Sequence, residues 1–390
     1  MTNIIFIANN NIGAGLSGGD TIFLQFLKQW STDNTITVFG SQEAKNLINK
    51  NQIKKVTFIK TDNTNNNPSL STINLLIHQI KRSFKGIKTL IKNKQIIKQS
   101  NYIYSVSDFY PDLLPALVAK LINPKIKWLA GFYLFAPNPF NKASPYNTNN
   151  QFLKGFIYYL FQKPTYFLTK KFANIVLVTS DPDTKKFPQK TIIVQGGVDL
   201  DEVKTIKKIP LNKRHYHAVF MGRLHPQKGV SELIDIWKLV TEKIPNAKLA
   251  IIGDGQLDKQ IKSKINKLNL NKNIDMLGFL TGTKKYQIFA NSKIVVHPAT
   301  YDSGGMSAAQ AMAFGLPLIS YDLPALKTYY PTACLKTKCF DQKQFSKNII
   351  KLLTDYHLHS KLSLQANKLI ENNWNWQKRS QQIYNQIFNK

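Results

Sequence analysis

The first half of the chain alternates short apolar runs with amphipathic stretches. Positions 4–8 are continuously apolar (Ile-Ile-Phe-Ile-Ala) and lead into a loop carrying Gly13, Gly15, Gly18 and Gly19. Residues 21–30 place Ile22, Phe23, Phe26 and Leu27 on one helical face, the repeat of an amphipathic helix. Positions 35–39, 55–59, 102–106, 126–130 and 175–179 read as further strands, and 62–72, rich in Asn, Ser and Thr around Pro68, as a loop. This βαβ alternation predicts a parallel sheet covered on both faces.

The pattern restarts beyond residue 200. Positions 218–221, 249–252, 294–297 and 316–320 read as strands, and 231–243 and 308–313 as helices. Gly196-Gly197-Val198-Asp199 reads as a joint. The expectation is an α/β chain of two Rossmann-like, doubly wound domains facing across a cleft. They occupy 1–197 and 198–372, and a closing helix over 373–390 returns to the first domain. That last stretch sets Trp374 and Trp376 ahead of Ile383, Tyr384, Ile387 and Phe388, an aromatic and apolar cluster able to dock.

Length agrees: 390 residues make two or three domains at about 150 residues each. A hydrophobic share of 43% with 19% charged residues excludes wholesale disorder. No run of about 20 apolar residues appears, and the start reads as a strand rather than a signal peptide. Cys334 and Cys339 make neither a disulfide framework nor a metal pair, so a reduced, cytosolic setting is expected. Charge changes the picture more. Lys and Arg number 53 against 22 Asp and Glu, a formal +31, which asks for nucleic acid, an anionic membrane or an anionic substrate. The chain is rich in Asn and Ile, and the bias of an AT-rich genome accounts for part of the lysine. Arginine occurs only at Arg82, Arg214, Arg223 and Arg379, so its place in a motif is informative.

One such place is Met221-Gly222-Arg223-Leu224-His225-Pro226-Gln227-Lys228-Gly229, between a strand and a helix. Glycine permits a tight turn and close backbone approach. Arg223 offers a planar fork to phosphate oxygens, and Lys228 adds a point charge. The helix start adds partial positive charge. Together they suit a diphosphate. A second cluster runs His297-Pro298-Ala299-Thr300-Tyr301-Asp302-Ser303-Gly304-Gly305-Met306-Ser307 and continues through Gln310. Its Ser303–Ser307 turn can present backbone N–H groups to an anion, and Asp302 and Gln310 can line one pocket.

The two motifs resemble those of the family 4 retaining glycosyltransferases, which have the GT-B fold. The family's G-R-L-x-x-x-K-G loop matches at Gly222, Arg223, Leu224, Lys228 and Gly229; its second motif matches at Pro298, Ala311-Met312-Ala313, Gly315 and Pro317. Further echoes are Gly197-Val198-Asp199, Gly253-Asp254-Gly255, the base-contacting turn Leu277-Gly278-Phe279-Leu280, and the pair Gly18-Gly19. The resemblance covers nearly the whole chain and is most specific over 196–320. It implies transfer of a sugar from a UDP- or GDP-linked donor to a glycan or lipid-linked acceptor. Arg223, Lys228 and Asp302 would be catalytic. Gly18, Gly19, Gly222, Gly253, Asp254, Phe279, Ser303, Gly304, Gly305, Met306, Ser307 and Gln310 would bind the donor. Neither a cofactor nor a metal is implied, because the leaving diphosphate can take the acceptor proton while the cations and amide dipoles stabilise its charge.

The departures are specific. The family's two glutamates fall on Asp302 and Gln310. The shorter Asp302 can still accept from sugar hydroxyls, whereas Gln310 supplies no charge to the ribose, a loss of about 1 kcal/mol. The histidine that ends the fifth strand in many relatives is missing, leaving Tyr133, with Asp108, as acceptor-side candidates; His78 lies in a helical pattern. Two lysine-rich segments bear on the acceptor. Residues 73–91 set Ile73, Leu76, Ile77, Ile80, Phe84, Ile87 and Ile91 at helical spacing, flanked by Lys81, Lys85, Lys88 and Lys92, and 152–172 interleave aromatics with Lys154, Lys163, Lys170 and Lys171. Each fits a helix packed on the sheet or one lying on an anionic membrane, the second placing the protein at the inner membrane face. The other function classes are a GT-B relative that is epimerase-like or an inactive scaffold, and a nucleic-acid binder. The last lacks a recognition helix or strands bearing several arginines, so no nucleic-acid partner is expected.

Overall fold

The computed structural model describes residues 2–10, 17–62, 72–142, 144–147, 151–194 and 196–388. Gly13, Gly15 and Pro68 lie outside them, as does the side chain of Ile73. The chain forms two compact units. Unit 1 comprises 1–138, 153–196 and 380–390; unit 2 comprises 139–152 and 197–379.

Among the described residues unit 1 is built on strands Thr2–Ala8 (β1), Asn34–Ser41 (β2), Thr57–Asp62 (β3), Tyr102–Ser105 (β4), Lys127–Gly131 (β5), Ile175–Val178 (β6) and Lys190–Ile193 (β7). They pair in parallel in the order β3-β2-β1-β4-β5-β6-β7, Phe6 lying opposite both Val38 and Tyr104. The central strands are buried along almost their whole length, which is why they read as continuous apolar runs. Phe6 packs on Phe23, Trp30 and Tyr104. The closing helix Trp376–Phe388 sets Tyr384 and Phe388 against Trp30, and the Tyr384 hydroxyl bonds Asn34. The expected return to the first domain is observed.

Unit 2 repeats the design with Tyr216–Met221 (β8), Leu249–Ile252 (β9), Ile274–Met276 (β10), Ser292–His297 (β11), Leu318–Tyr321 (β12) and Cys334–Thr337 (β13), ordered β10-β9-β8-β11-β12-β13 and all parallel. Trp237, Phe220, Ile251 and Phe345 sit in its core. At its edge Trp374 stacks on Tyr330 at 5.4 Å between ring centroids, and the Val198 N–H bonds the Trp374 carbonyl.

Three strands escape the sequence pattern: β7, β10 and β13. Each is short and at or next to a sheet edge, with mixed polarity, so no apolar run marks it. The strand expected over 55–59 lies two to three residues later, ending at the buried Asp62.

Two helices of unit 1 depart from the ordinary pattern. Helix Thr72–Lys92 buries Gln79, Arg82, Ser83, Gly86 and Leu90 and exposes Ile77, Ile80, Phe84 and Ile91. Helix Phe152–Phe172 buries Gly155, Gln162, Thr165 and Thr169 and exposes Leu153, Leu160 and Phe167. The apolar stripe of the first therefore does not pack on the sheet.

Candidate functional site

Unit 2 carries its candidate chemistry at the carboxyl ends of β9, β8 and β11, where strand order reverses between β8 and β11. In open parallel sheets ligands bind at this switch point. The loop after β8 is Gly222–Gly229, and its neighbours are laced to it by backbone hydrogen bonds. The Gly222 N–H donates to the Ile252 carbonyl (3.0 Å), Leu224 N–H to Asp254 (2.7 Å), Gly253 N–H to Gly278 (2.8 Å) and Thr300 N–H to Gln227 (3.0 Å). Glycine is required at two of the crossings. Gly229 (φ +64°) and Gly253 (φ +140°) hold left-handed backbone, and a Cβ would fall on the carbonyl oxygens of Pro298 and Gly222. The glycines legible in the sequence thus bring four loops to backbone contact.

On this base stands a buried ionic cluster. Lys228 Nζ donates to Asp302 Oδ2 at 2.5 Å, with side-chain exposures of 21% and 5%. His297 Nε2 lies 3.0 Å from the same oxygen. Asp302 Oδ1 accepts from the N–H groups of Gly304 (3.0 Å) and Gly305 (2.9 Å). Burial pushes the Asp302 carboxyl up, but Lys228 and His297 outweigh it and hold the group well below its ordinary range. Both oxygens are in use, so Asp302 ties the lysine of one loop to the glycine turn of another. The turn is clamped from behind. The Tyr330 hydroxyl donates to the Gly305 carbonyl at 2.7 Å, and a Cβ on Gly304 would meet the Tyr329 ring at 2.8 Å.

Arg223 is exposed at the head of the loop, close enough to the buried Tyr146 to oppose the rise that burial gives its hydroxyl pKa. Asp254 and Phe279 are exposed on the neighbouring loops. Met306 and Ser307 begin helix Met306–Met312, which carries Gln310. Gln310 Oε1 accepts from Lys285 Nζ at 2.8 Å. Burial lowers Lys285 to about 8, against the upward pull of Glu202.

The remaining candidates belong to unit 1. Gly18 and Gly19 open helix Gly18–Trp30 behind a Ser17–Asp20 capping box, and a Cβ on Gly19 would lie 3.7 Å from the Tyr133 ring. The hydroxyls of Tyr133 and Tyr104 are hydrogen-bonded, and burial raises the Tyr133 pKa against that bond. Asp108 is buried, accepts from Gln162 Nε2 at 2.8 Å, and is raised to about 6 by burial despite that bond.

Sequence reasoning missed His297 and Lys285. A histidine closing a buried strand five residues before an aspartate was the signal for the first. Lys285 is one of many lysines and carried none. Among the described residues no three His, Cys, Asp or Glu side chains cluster as metal ligands, and no helix is long and apolar enough to cross a membrane.

This loop set falls inside a segment with known relatives. Residues 201–369 match the family model of group 1 glycosyl transferases. An uncharacterized glycosyltransferase of Methanocaldococcus jannaschii is 29% identical over 288 residues, 70% of this chain and 66% of that protein. The poly(glycerol-phosphate) alpha-glucosyltransferase of Bacillus subtilis is 26% identical over 210 residues, 53% of this chain but 30% of that protein. The matched region thus spans just under two thirds of the first and under one third of the second. The crystal structure of Anabaena HepE with UDP and glucose aligns at a TM-score of 0.72 over 100% of both chains with 17% identity, a likeness of fold. The comparisons show two doubly wound α/β units, with residues 201–369 similar to group 1 glycosyl transferases.

Proposed function

We propose that the protein is a retaining glycosyltransferase that moves a hexose from a UDP- or GDP-linked donor to a glycan or lipid-linked acceptor, without a metal. The observation that carries this reading is the pairing of an exposed Arg223 with a Lys228 held in place by Asp302. Two cations of different kind stand five residues apart on one loop that backbone hydrogen bonds brace. A diphosphate needs such an arrangement in its leaving state, when the bond from the anomeric carbon to the diphosphate oxygen breaks and negative charge grows on that oxygen.

Arg223 would grip phosphate oxygens with its fork, and Lys228, kept in place by one N–H to Asp302, would meet the growing charge with its others. The acceptor hydroxyl oxygen bonds to the anomeric carbon on the face the diphosphate leaves, and its proton passes to the departing diphosphate. Arg223 and Lys228 are the catalytic groups of this scheme, and Asp302 holds Lys228. The exposed Phe279 ring lies on the loop that would carry the base, with Gln310 and Lys285 beside the ribose. A UDP-linked donor is supported by the Anabaena neighbour holding UDP and glucose, and a polymer acceptor by the poly(glycerol-phosphate) named for the Bacillus relative. We place the protein at the cytosolic membrane face.

A thermal-shift panel of nucleotide sugars tests the donor, a stabilising one contributing about 2.7 kcal/mol at one hundred times its dissociation constant. Turnover in the presence of EDTA and the anomeric configuration of the product test the rest. A protein stabilised by no nucleotide sugar, or one giving the inverted anomer, would refute the proposal.

A further inference from the structure

The two long helices of unit 1 each turn several apolar side chains to solvent and polar ones inward. In a helix that packs on a sheet, the apolar stripe faces inward. In helix Thr72–Lys92 the inward face is held by a salt-bridged arginine. Arg82 is 2% exposed, donates to both Glu43 carboxylate oxygens at 2.8–2.9 Å and to the Asn9 carbonyl at 2.8 Å, and lies 3.5 Å from Asp62. Gly86 belongs to the same face, where a Cβ would meet Asn9 and Pro115. Rotating the helix to bury its isoleucines would pull Arg82 out of this cluster, so the register is locked with Ile77, Ile80, Phe84 (68% exposed) and Ile91 facing out.

Helix Phe152–Phe172 repeats the device. Its inward Gln162 accepts from the Ala136 N–H and donates to the Leu134 carbonyl and to Asp108. Leu153, Leu160 and Phe167 (60% exposed) project outward at seven-residue intervals. Both helices pack on the helix Tyr110–Ile122, the first along its length and the second through Phe109–Tyr158 and Tyr110–Phe161 ring contacts, so they flank one shared support.

We infer that these two outward faces form a docking surface for an anionic lipid bilayer. Charge selects this occupant. Neither helix carries an Asp or Glu. Lys81, Lys85, Lys88 and Lys92 border the first apolar stripe, Lys85 pairing with Asp62. On the second, Lys163 and Lys171 lie over the rings of Tyr159 and Phe167, at 4.7 and 6.0 Å. An apolar ridge fringed by lysines on aromatic stems matches the boundary between acyl chains and acidic headgroups. A second copy of the chain would set lysine against lysine on the same surface. The inference locates the membrane contact on these side chains, and it stands apart from the donor chemistry of unit 2.

The test is co-sedimentation of the full chain with phosphatidylcholine vesicles with and without phosphatidylglycerol. Phe84→Glu, Phe167→Glu and the double variant are compared with wild type, and each is also measured for its melting point and its thermal shift with nucleotide sugars. Wild type is expected to bind only the phosphatidylglycerol vesicles and to be released at about 1 M salt, where the screening length falls to about 3 Å. Each single variant should bind at least tenfold more weakly, and the double variant not measurably. Melting points and nucleotide-sugar shifts should stay at their wild-type values, which separates loss of docking from failure to fold or to bind donor. Equal binding to both vesicle types, undiminished binding by the double variant, or a stable dimer in sedimentation velocity that the double variant abolishes would overturn the inference.

Discussion

Replacing Asp302 by alanine tests the centre of unit 2 most directly. The carboxylate makes four contacts: Lys228, His297 and the N–H groups of Gly304 and Gly305. Removing one member of a fully buried ion pair costs about 3–5 kcal/mol. Lys228 keeps 21% of its side-chain surface in water, which lowers that share, while two backbone donors each lose a bond worth about 1 kcal/mol. The expected loss is about 2–4 kcal/mol. For a unit of this size that is a fall of about 5–12 °C in the melting point. Asp302→Asn keeps an oxygen for the two glycine amides but leaves the ammonium unpaired, so its loss should be smaller by about 1–2 kcal/mol.

The pH dependence checks the same cluster independently. Lys228 and His297 outweigh burial and depress the Asp302 pKa below its ordinary 3.8. A carboxyl depressed in the folded state contributes stability that is complete above its unfolded pKa and is lost as pH falls toward the folded one. The gap between wild type and Asp302→Ala in urea unfolding should therefore be constant from about pH 8 to pH 5 and narrow below about pH 4. If alanine cost less than about 0.5 kcal/mol at neutral pH, or if the gap did not narrow in acid, the four-contact clamp would not exist.

The remaining predictions separate catalysis, backbone and burial. Arg223→Ala should lower kcat/KM for the donor by about 10²–10³-fold with the melting point within about 1 °C of wild type, since the side chain is exposed; a matching loss of stability would mean a structural role. Gly253→Ala should destabilise far more than Gly278→Ala: both have positive φ, but only the first meets a backbone oxygen, and the second meets nothing within 4 Å. The control should cost only the local strain of about 1–2 kcal/mol, measured by urea midpoints. Burial raises Asp112 from 3.8 to about 7 against hydrogen bonds from Ser107, Asn9 and Asn10. A carboxyl raised in the folded state stabilises fully below its unfolded pKa and loses that contribution as pH rises through about 7. Asp112→Asn should flatten the decline in unit 1 stability between about pH 5 and 8, and an unchanged slope would refute it. Gln310→Glu gives Lys285 a carboxylate partner and should raise the lysine pKa from about 8, readable by NMR titration of the ammonium.

How much of this was legible follows from what each feature asks of the chain. A buried central strand needs unbroken apolar residues, so β1, β9 and β11 could be read. An edge strand such as β13 needs only half a face, and its pattern dissolves into its surroundings. Loop crossings with left-handed backbone admit almost nothing but glycine, so Gly229 and Gly253 were visible as motif positions before any contact was known. The ionic cluster was half visible: Lys228 and Asp302 stand in motifs, and His297 lies close to Asp302 in sequence without its contact being marked, while Lys285 matters only through a partner farther along the chain.

The helix Thr72–Lys92 shows the limit most clearly. Periodicity reports that one face is apolar and the other polar; it does not say which face the protein keeps. Hydrophobicity alone argues for burying the isoleucines, since each would gain about 1.5–3 kcal/mol. Arg82 decides otherwise. Withdrawing it would take an ion-pair partner from Glu43 and from the buried Asp62, and a donor from the Asn9 carbonyl, at about 3–5 kcal/mol for the broken buried pair alone. An arginine in so lysine-rich a chain marked the position as unusual, but its partners come from β3, the loop after β1 and the helix Gln42–Lys50. Only the folded sheet brings them together, so a single long-range cluster determines which side of an amphipathic helix the solvent, or a membrane, meets.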